Sequence, residues 1–151
     1  MPARFNHMEL TLPQGELDAH REAIARFYSD LFEWESLDVP ILGQQGLLLR
    51  TDAETSQFIL ITEQDRHMQS PGYDHLGLLY ETRSEVDDLL ERTRHWQNRD
   101  PRVEIKEYDD LVTGPVTTRA FYVRYLLPIW FDVQHQEYEP GSAPARAWTF
   151  G

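Results

Sequence analysis

The chain opens on a two-residue rhythm. Met8, Leu10 and Leu12 alternate with His7, Glu9 and Thr11, the pattern of a strand with one apolar face. Pro13-Gln14-Gly15 ends it, and the period then changes. From Glu16 to Phe32 the apolar residues Leu17, Ile24, Phe27, Tyr28, Leu31 and Phe32 recur at helical spacing, with charges between them. Pro40 and Gly43 signal turns, 46–50 and 57–62 read as strands, and 35–39 reads as a further short one. The polar stretch 64–73, with Pro71-Gly72, reads as a connector. The same order then returns. Strand pattern covers 73–80, and a helical stripe of Val86, Leu89, Leu90 and Trp96 follows a capping signal at Ser84 and Asp87. Weak alternation over 103–108 is followed, after Thr113-Gly114-Pro115, by strands at 120–125 and 129–135. Residues 139–151, with Pro140, Gly141 and Pro144, predict an irregular tail.

The two halves thus repeat one supersecondary unit, each needing the other to bury its apolar face. Each opens on a strand containing a histidine: Asn6-His7-Met8-Glu9-Leu10 and Asp74-His75-Leu76-Gly77-Leu78. Strand parity assigns faces. Met8, Leu10 and Leu12 face a helix, leaving His7 and Glu9 on the other side, and Leu76, Leu78 and Tyr80 leave His75 and Gly77. In the last strand Ile129, Phe131 and Val133 are apolar, so Trp130, Asp132 and Gln134 point away from the helices. Two imidazoles and a carboxylate form the set that holds an octahedral divalent ion with open positions. The reading takes His7, His75 and Asp132 as ligands of one ion (Fe, Mn, Ni, Co or Zn). Against it, a lone strand histidine is more often simply hydrogen-bonded. The repeat of the position is what shifts the balance. Glu9 is either a solvated charge or a catalytic base. Phe58, Tyr125 and Trp130 either line a pocket or fill the interior. His20, His67 and His95 read as exposed, and His135 as helix-facing.

Composition narrows the function further. At 151 residues with 40% hydrophobic content the chain suits one domain with a real core. Its 26 acidic against 14 basic residues give a net charge of −12, which repels phosphate backbones and anionic membranes. No nucleic acid or membrane partner is expected. The absence of cysteine removes thiolate chemistry and disulfides. With no apolar run long enough to span a membrane and no signal-peptide pattern, a cytoplasmic location is expected.

These residues resemble the vicinal oxygen chelate superfamily, which includes glyoxalase, bleomycin-resistance and extradiol dioxygenase relatives. Phe5-Asn6-His7-Met8 and Tyr73-Asp74-His75-Leu76 are similar to its aromatic-x-His-hydrophobic opening strands. The run Arg26-Phe27-Tyr28-Ser29-Asp30-Leu31-Phe32 is similar to its "RFYxDLF" helix ending, with Glu33 where glycine is usual. Phe121-Tyr122-Val123-Arg124 resembles its final hairpin and aligns Asp132 with a glutamate that ligates metal in the family. The resemblance implies an α+β fold of two βαβββ modules, forming a curled mixed sheet around a cavity with helices outside. Module one spans about 4–63, the connector 64–72, module two about 73–137 and the tail 138–151. A fourth family ligand would fall on Leu60, or on Gln57 in a shifted register, and neither is a strong donor.

The implied function is a metal-dependent lyase, isomerase or dioxygenase acting on a small oxygen-rich or aromatic substrate chelated to the ion. Phe58, Leu60, Tyr125, Trp130 and Gln134 would line its site. The alternative is a metal-free, drug-sequestering protein of the bleomycin-resistance type. The family also implies a homodimer, with each cavity built within one chain or shared by swapping modules. The apolar turn Leu126-Leu127-Pro128, where the family has a polar one, would be covered by the partner chain or by the tail.

Overall fold

The computed structural model describes residues 3–145. The first unit runs β1 (His7–Leu12), α1 (Glu16–Phe32), β2 (Glu35–Ile41), β3 (Gln44–Arg50) and β4 (Phe58–Glu63). The second runs β5 (His75–Leu79), α2 (Arg83–Arg99), β6 (Glu104–Glu107), β7 (Leu111–Thr113), β8 (Val116–Arg124) and β9 (Trp130–Tyr138). The expected βαβββ order therefore recurs, with β7 as an addition. Its three residues are all exposed, so no apolar period marked it in the sequence.

Each unit builds its own mixed sheet. The first has the order β1-β4-β3-β2, and the second β5-β9-β8-β6 with β7 beside β8. In each, the opening strand is an edge strand running parallel to the last strand of its unit. The helices lie outside the sheets. Leu10, Leu47, Leu49, Ile59 and Ile61 bury one face of the first sheet under α1, and Phe121, Val123, Phe131 and Val133 bury one face of the second under α2. The helices then meet: the Phe27 ring packs 5.4 Å from Trp96, and the Tyr28 hydroxyl donates to the Tyr125 carbonyl at 3.0 Å. One continuous core results, and among the described residues the opposite face of each sheet carries no helix.

Two local features differ from the sequence reading. Helix α2 is capped by Thr82, which exchanges hydrogen bonds with Glu85 in a reciprocal box, and not by Ser84 and Asp87. Asp87 instead pairs with Arg119 on β8. The apolar turn needs no partner chain either. Leu127 is 3% exposed within the chain and Leu126 packs against the same core. Of the tail, 139–145 is irregular as expected, and 146–151 lies outside the described residues.

Helix α1 begins at Gly15, in the left-handed region with φ 87° and no side chain to cap it. The cap comes from 48 residues away: the Glu63 carboxylate accepts from the backbone N–H groups of Gly15, Leu17 and Asp18 at 2.9, 2.7 and 3.1 Å. A carboxylate there satisfies orphan amides and complements the helix dipole. Glu63→Ala is expected to cost about 1–2 kcal/mol, the upper range for losing a cap, with Glu63→Gln recovering part of it. Urea unfolding checks this, and a loss smaller than about 0.3 kcal/mol would show that water replaces the carboxylate without penalty.

Candidate metal centre

His75 on β5 and Asp132 on β9 share the helix-free face of the second sheet. Asp132 sits opposite Gly77 on β5 and opposite Tyr122 on β8. The Nδ1 of His75 lies 2.8 Å from the Tyr73 carbonyl. A carbonyl only accepts, so Nδ1 carries the proton and Nε2 is left with its lone pair. That Nε2 lies 3.8 Å from Asp132 Oδ2, too far for a hydrogen bond and with no proton between them when the ring is neutral.

Asp132 is 7% exposed, and its buried Oδ1 has no hydrogen-bond partner among the described residues. Burial raises its carboxyl above the usual carboxylate range, with the positive form of His75 opposing that shift. An imidazole lone pair and a carboxylate facing each other without a donor are mutually unfavourable. A divalent cation removes the conflict, so this pair fits two positions of a metal shell.

His7 is prepared in the same way on the first sheet. Asn6 donates through Nδ2 to the Ser56 carbonyl at 3.0 Å, which orients its Oδ1 toward His7 Nδ1 at 2.8 Å. Nε2 is again the free nitrogen. The ring stacks on Phe58, with centroids 4.9 Å apart and planes 4° from parallel. Glu9, two residues on, accepts from Thr62 Oγ1 at 2.7 Å and Gln64 Nε2 at 3.3 Å, and Leu60 lies opposite it on β4.

Parity thus placed each side chain on the correct face of its own strand, but the ligand set expected of one chain does not assemble. Among the described residues no group of three His, Asp or Glu is close enough to hold an ion. His75 and Asp132 meet, while His7 and Glu9 stand on the other sheet. The reason is topological: β1 and β5 are edges of different sheets and share no hydrogen bonds.

Of the expected substrate-lining residues, Trp130 and Gln134 lie on the His75 face, and a Cβ added at Gly77 would meet the Gln134 amide at 3.1 Å. Tyr125 does not lie there. It is buried between the helices with its ring 4.4 Å from Phe27, and its hydroxyl donates to Asp100 at 2.7 Å. Tyr125 follows β8, where the strand alternation has ended, so parity gave no guide to it. Arg102, together with this hydroxyl, holds the Asp100 carboxyl well below its ordinary range.

The sequence reading also passed over four residues of the same face: Tyr73, Lys106, Tyr122 and Arg124. Tyr122 packs 4.7 Å from His75, and burial raises its phenol, so it remains a hydrogen-bond donor at neutral pH. Lys106, the sole lysine of the chain, sits opposite Tyr122 with its ammonium 5.6 Å from the Tyr73 and Tyr108 rings. The alternation of Phe121 and Val123 with Tyr122, and of Val103 and Ile105 with Lys106, was the available signal.

This two-unit α+β architecture is shared with known solved structures. Among solved structures, the fosfomycin resistance protein FosX from Listeria monocytogenes is similar at a TM-score of 0.63 and 20% identity, over 88% of this chain and 91% of that one. A mutant of that protein, crystallised with Mn(II) and 1S,2S-dihydroxypropylphosphonic acid, is similar at 0.62 and 20%, over 88% and 90%. A virulence protein from Salmonella typhimurium is similar at 0.59 and 14%, over 89% and 98%. At these identities the likeness is one of fold. No protein-family model and no curated protein sequence matches the chain. No helix among the described residues is long and apolar enough to cross a membrane.

Proposed function

We propose that this protein is a metal-dependent enzyme of the vicinal oxygen chelate type, whose ion is held by His75 and Asp132 of one chain and His7 of a second copy. The observation that carries this is the unpartnered Asp132 oxygen beside an imidazole whose free Nε2 faces it. His7 is the natural third donor, because it occupies on edge strand β1 the place His75 occupies on edge strand β5, with the same nitrogen left free. A homodimer that sets one chain's β1 beside the other's β5 completes the set. The bound ion would act as a Lewis acid and as a template for two neighbouring substrate oxygens.

The remaining roles belong to the chain itself. Glu9 would enter the same site beside His7, fixed by Thr62 and Gln64, as the group that takes up a substrate proton. Tyr122 would donate to a substrate oxygen, and Lys106 would attract an anionic one. The FosX crystals hold a phosphonate diol with Mn(II), and a small oxygen-rich anion suits this face of the second sheet. The aromatic rings Tyr73, Tyr108, Tyr122 and Trp130 support the competing reading, a metal-free binder of flat ligands. One titration separates the two. Chelator-treated protein should bind about one Mn(II), Fe(II), Co(II), Ni(II) or Zn(II) per chain and melt at higher temperature. Absence of both heat and thermal shift with all five ions would leave only the binding reading.

A further inference from the structure

An open groove of about 560 Å³ lies at the edge of the second sheet, between the connector and the end of α2. Its near wall is Tyr73 and Trp130, which are also the neighbours of the candidate metal site. Trp130 is the register partner of His75, and Tyr73 packs 6.4 Å from Tyr122 and 5.2 Å from Trp130. A run of rings therefore leads from the imidazole into the groove. The far walls are the connector around Gly72, the end of α2 and strand β6.

The floor is built and held. Trp130 Nε1 donates to the Gly72 carbonyl at 3.2 Å, and the Arg124 guanidinium lies 4.5 Å over the indole ring. Both oxygens of Glu104 bind Arg124, at 2.7 and 3.0 Å. That pair cancels its own charge, so this wall favours neither sign. Tyr73 leaves half of its surface exposed, with the Lys106 ammonium 5.6 Å from its ring centroid.

We infer that the substrate is larger than the phosphonate found in FosX: a pair of chelating oxygens at the His75–Asp132 end joined to a planar, polar-edged ring that stacks on Tyr73 in this groove. This rests on the reading of the metal site given above, and the test separates the two. Acetohydroxamate and 2-naphthohydroxamate share one chelating head and differ only in the ring. Calorimetry would compare them on metal-free and on Mn(II)-loaded protein. The naphthyl probe should bind at least about tenfold more tightly than the acetyl probe, a gain typical of buried aromatic stacking. Tyr73→Ala should erase that gain without weakening acetohydroxamate. Gly72→Phe should do the same by crowding the connector wall: a Cβ at Gly72 meets nothing within 4 Å, so the substitution starts without a clash. Equal affinities for the two probes, no binding of the naphthyl probe, or a gain untouched by both variants would each overturn the inference. The metal reading fails on a different comparison, an affinity for both probes that Mn(II) does not change.

Discussion

Asp132→Asn is expected to abolish tight metal binding and, at the same time, to make the metal-free protein more stable. The carboxylate is nearly buried, one of its oxygens lacks a donor among the described residues, and the other faces an imidazole lone pair. Such a group costs about 1–3 kcal/mol when left unsatisfied, and more when charged. The amide of asparagine keeps the shape, carries no charge and can donate to His75 Nε2. Thermal unfolding of the metal-free variant should therefore show a gain of about 1–2 kcal/mol, while Mn(II) affinity falls on the order of 100-fold or more. Asp132→Glu should retain the metal. A variant that is less stable without metal, or that binds Mn(II) as the parent does, would mean that Asp132 is held by something other than an expected cation.

Mixing two inactive variants should restore metal sites. If His7 acts across the dimer, His7→Ala and His75→Ala each destroy every site in their own homodimer. After subunit exchange, half of the dimers are mixed. In each of these one site receives both intact histidines and the other receives neither, so about one quarter of the wild-type metal content should return, as two-fold symmetry requires. Metal analysis of the exchanged mixture reads this directly. Recovery of nothing, from variants that fold and dimerise, would place His7 and His75 in the same chain's site or in none. Recovery also requires that neither variant alone retains metal, which the same measurement shows.

Periodicity carried much of this molecule. The 3.6-residue spacing from Leu17 to Phe32 marked α1 to its observed ends, because a helix that buries one stripe must repeat it. The two-residue alternation around His7, His75 and Asp132 assigned each to its helix-free face, because neighbouring strand residues point to opposite sides. The repeat of a histidine strand followed by a helix identified the two-unit architecture. These are local patterns, and the local chain enforces them.

What the sequence left open depends on atoms far apart along the chain. Glu63 caps α1 from the end of β4, and no pattern near Gly15 could reveal it. Tyr125 sits where the strand alternation has stopped, so only the packing of α1 against α2 decided that it fills the core. The separation of His7 from His75 and Asp132 is of the same kind. Parity fixes which face of a sheet a residue occupies, because the backbone pleat does so. It says nothing of which two sheets face each other, because edge strands β1 and β5 leave their outer hydrogen bonds unspent within the chain. The sequence by itself determined the units and the chemistry each presents. Only the tertiary structure showed that His7 stands on a different sheet from His75 and Asp132 within one chain.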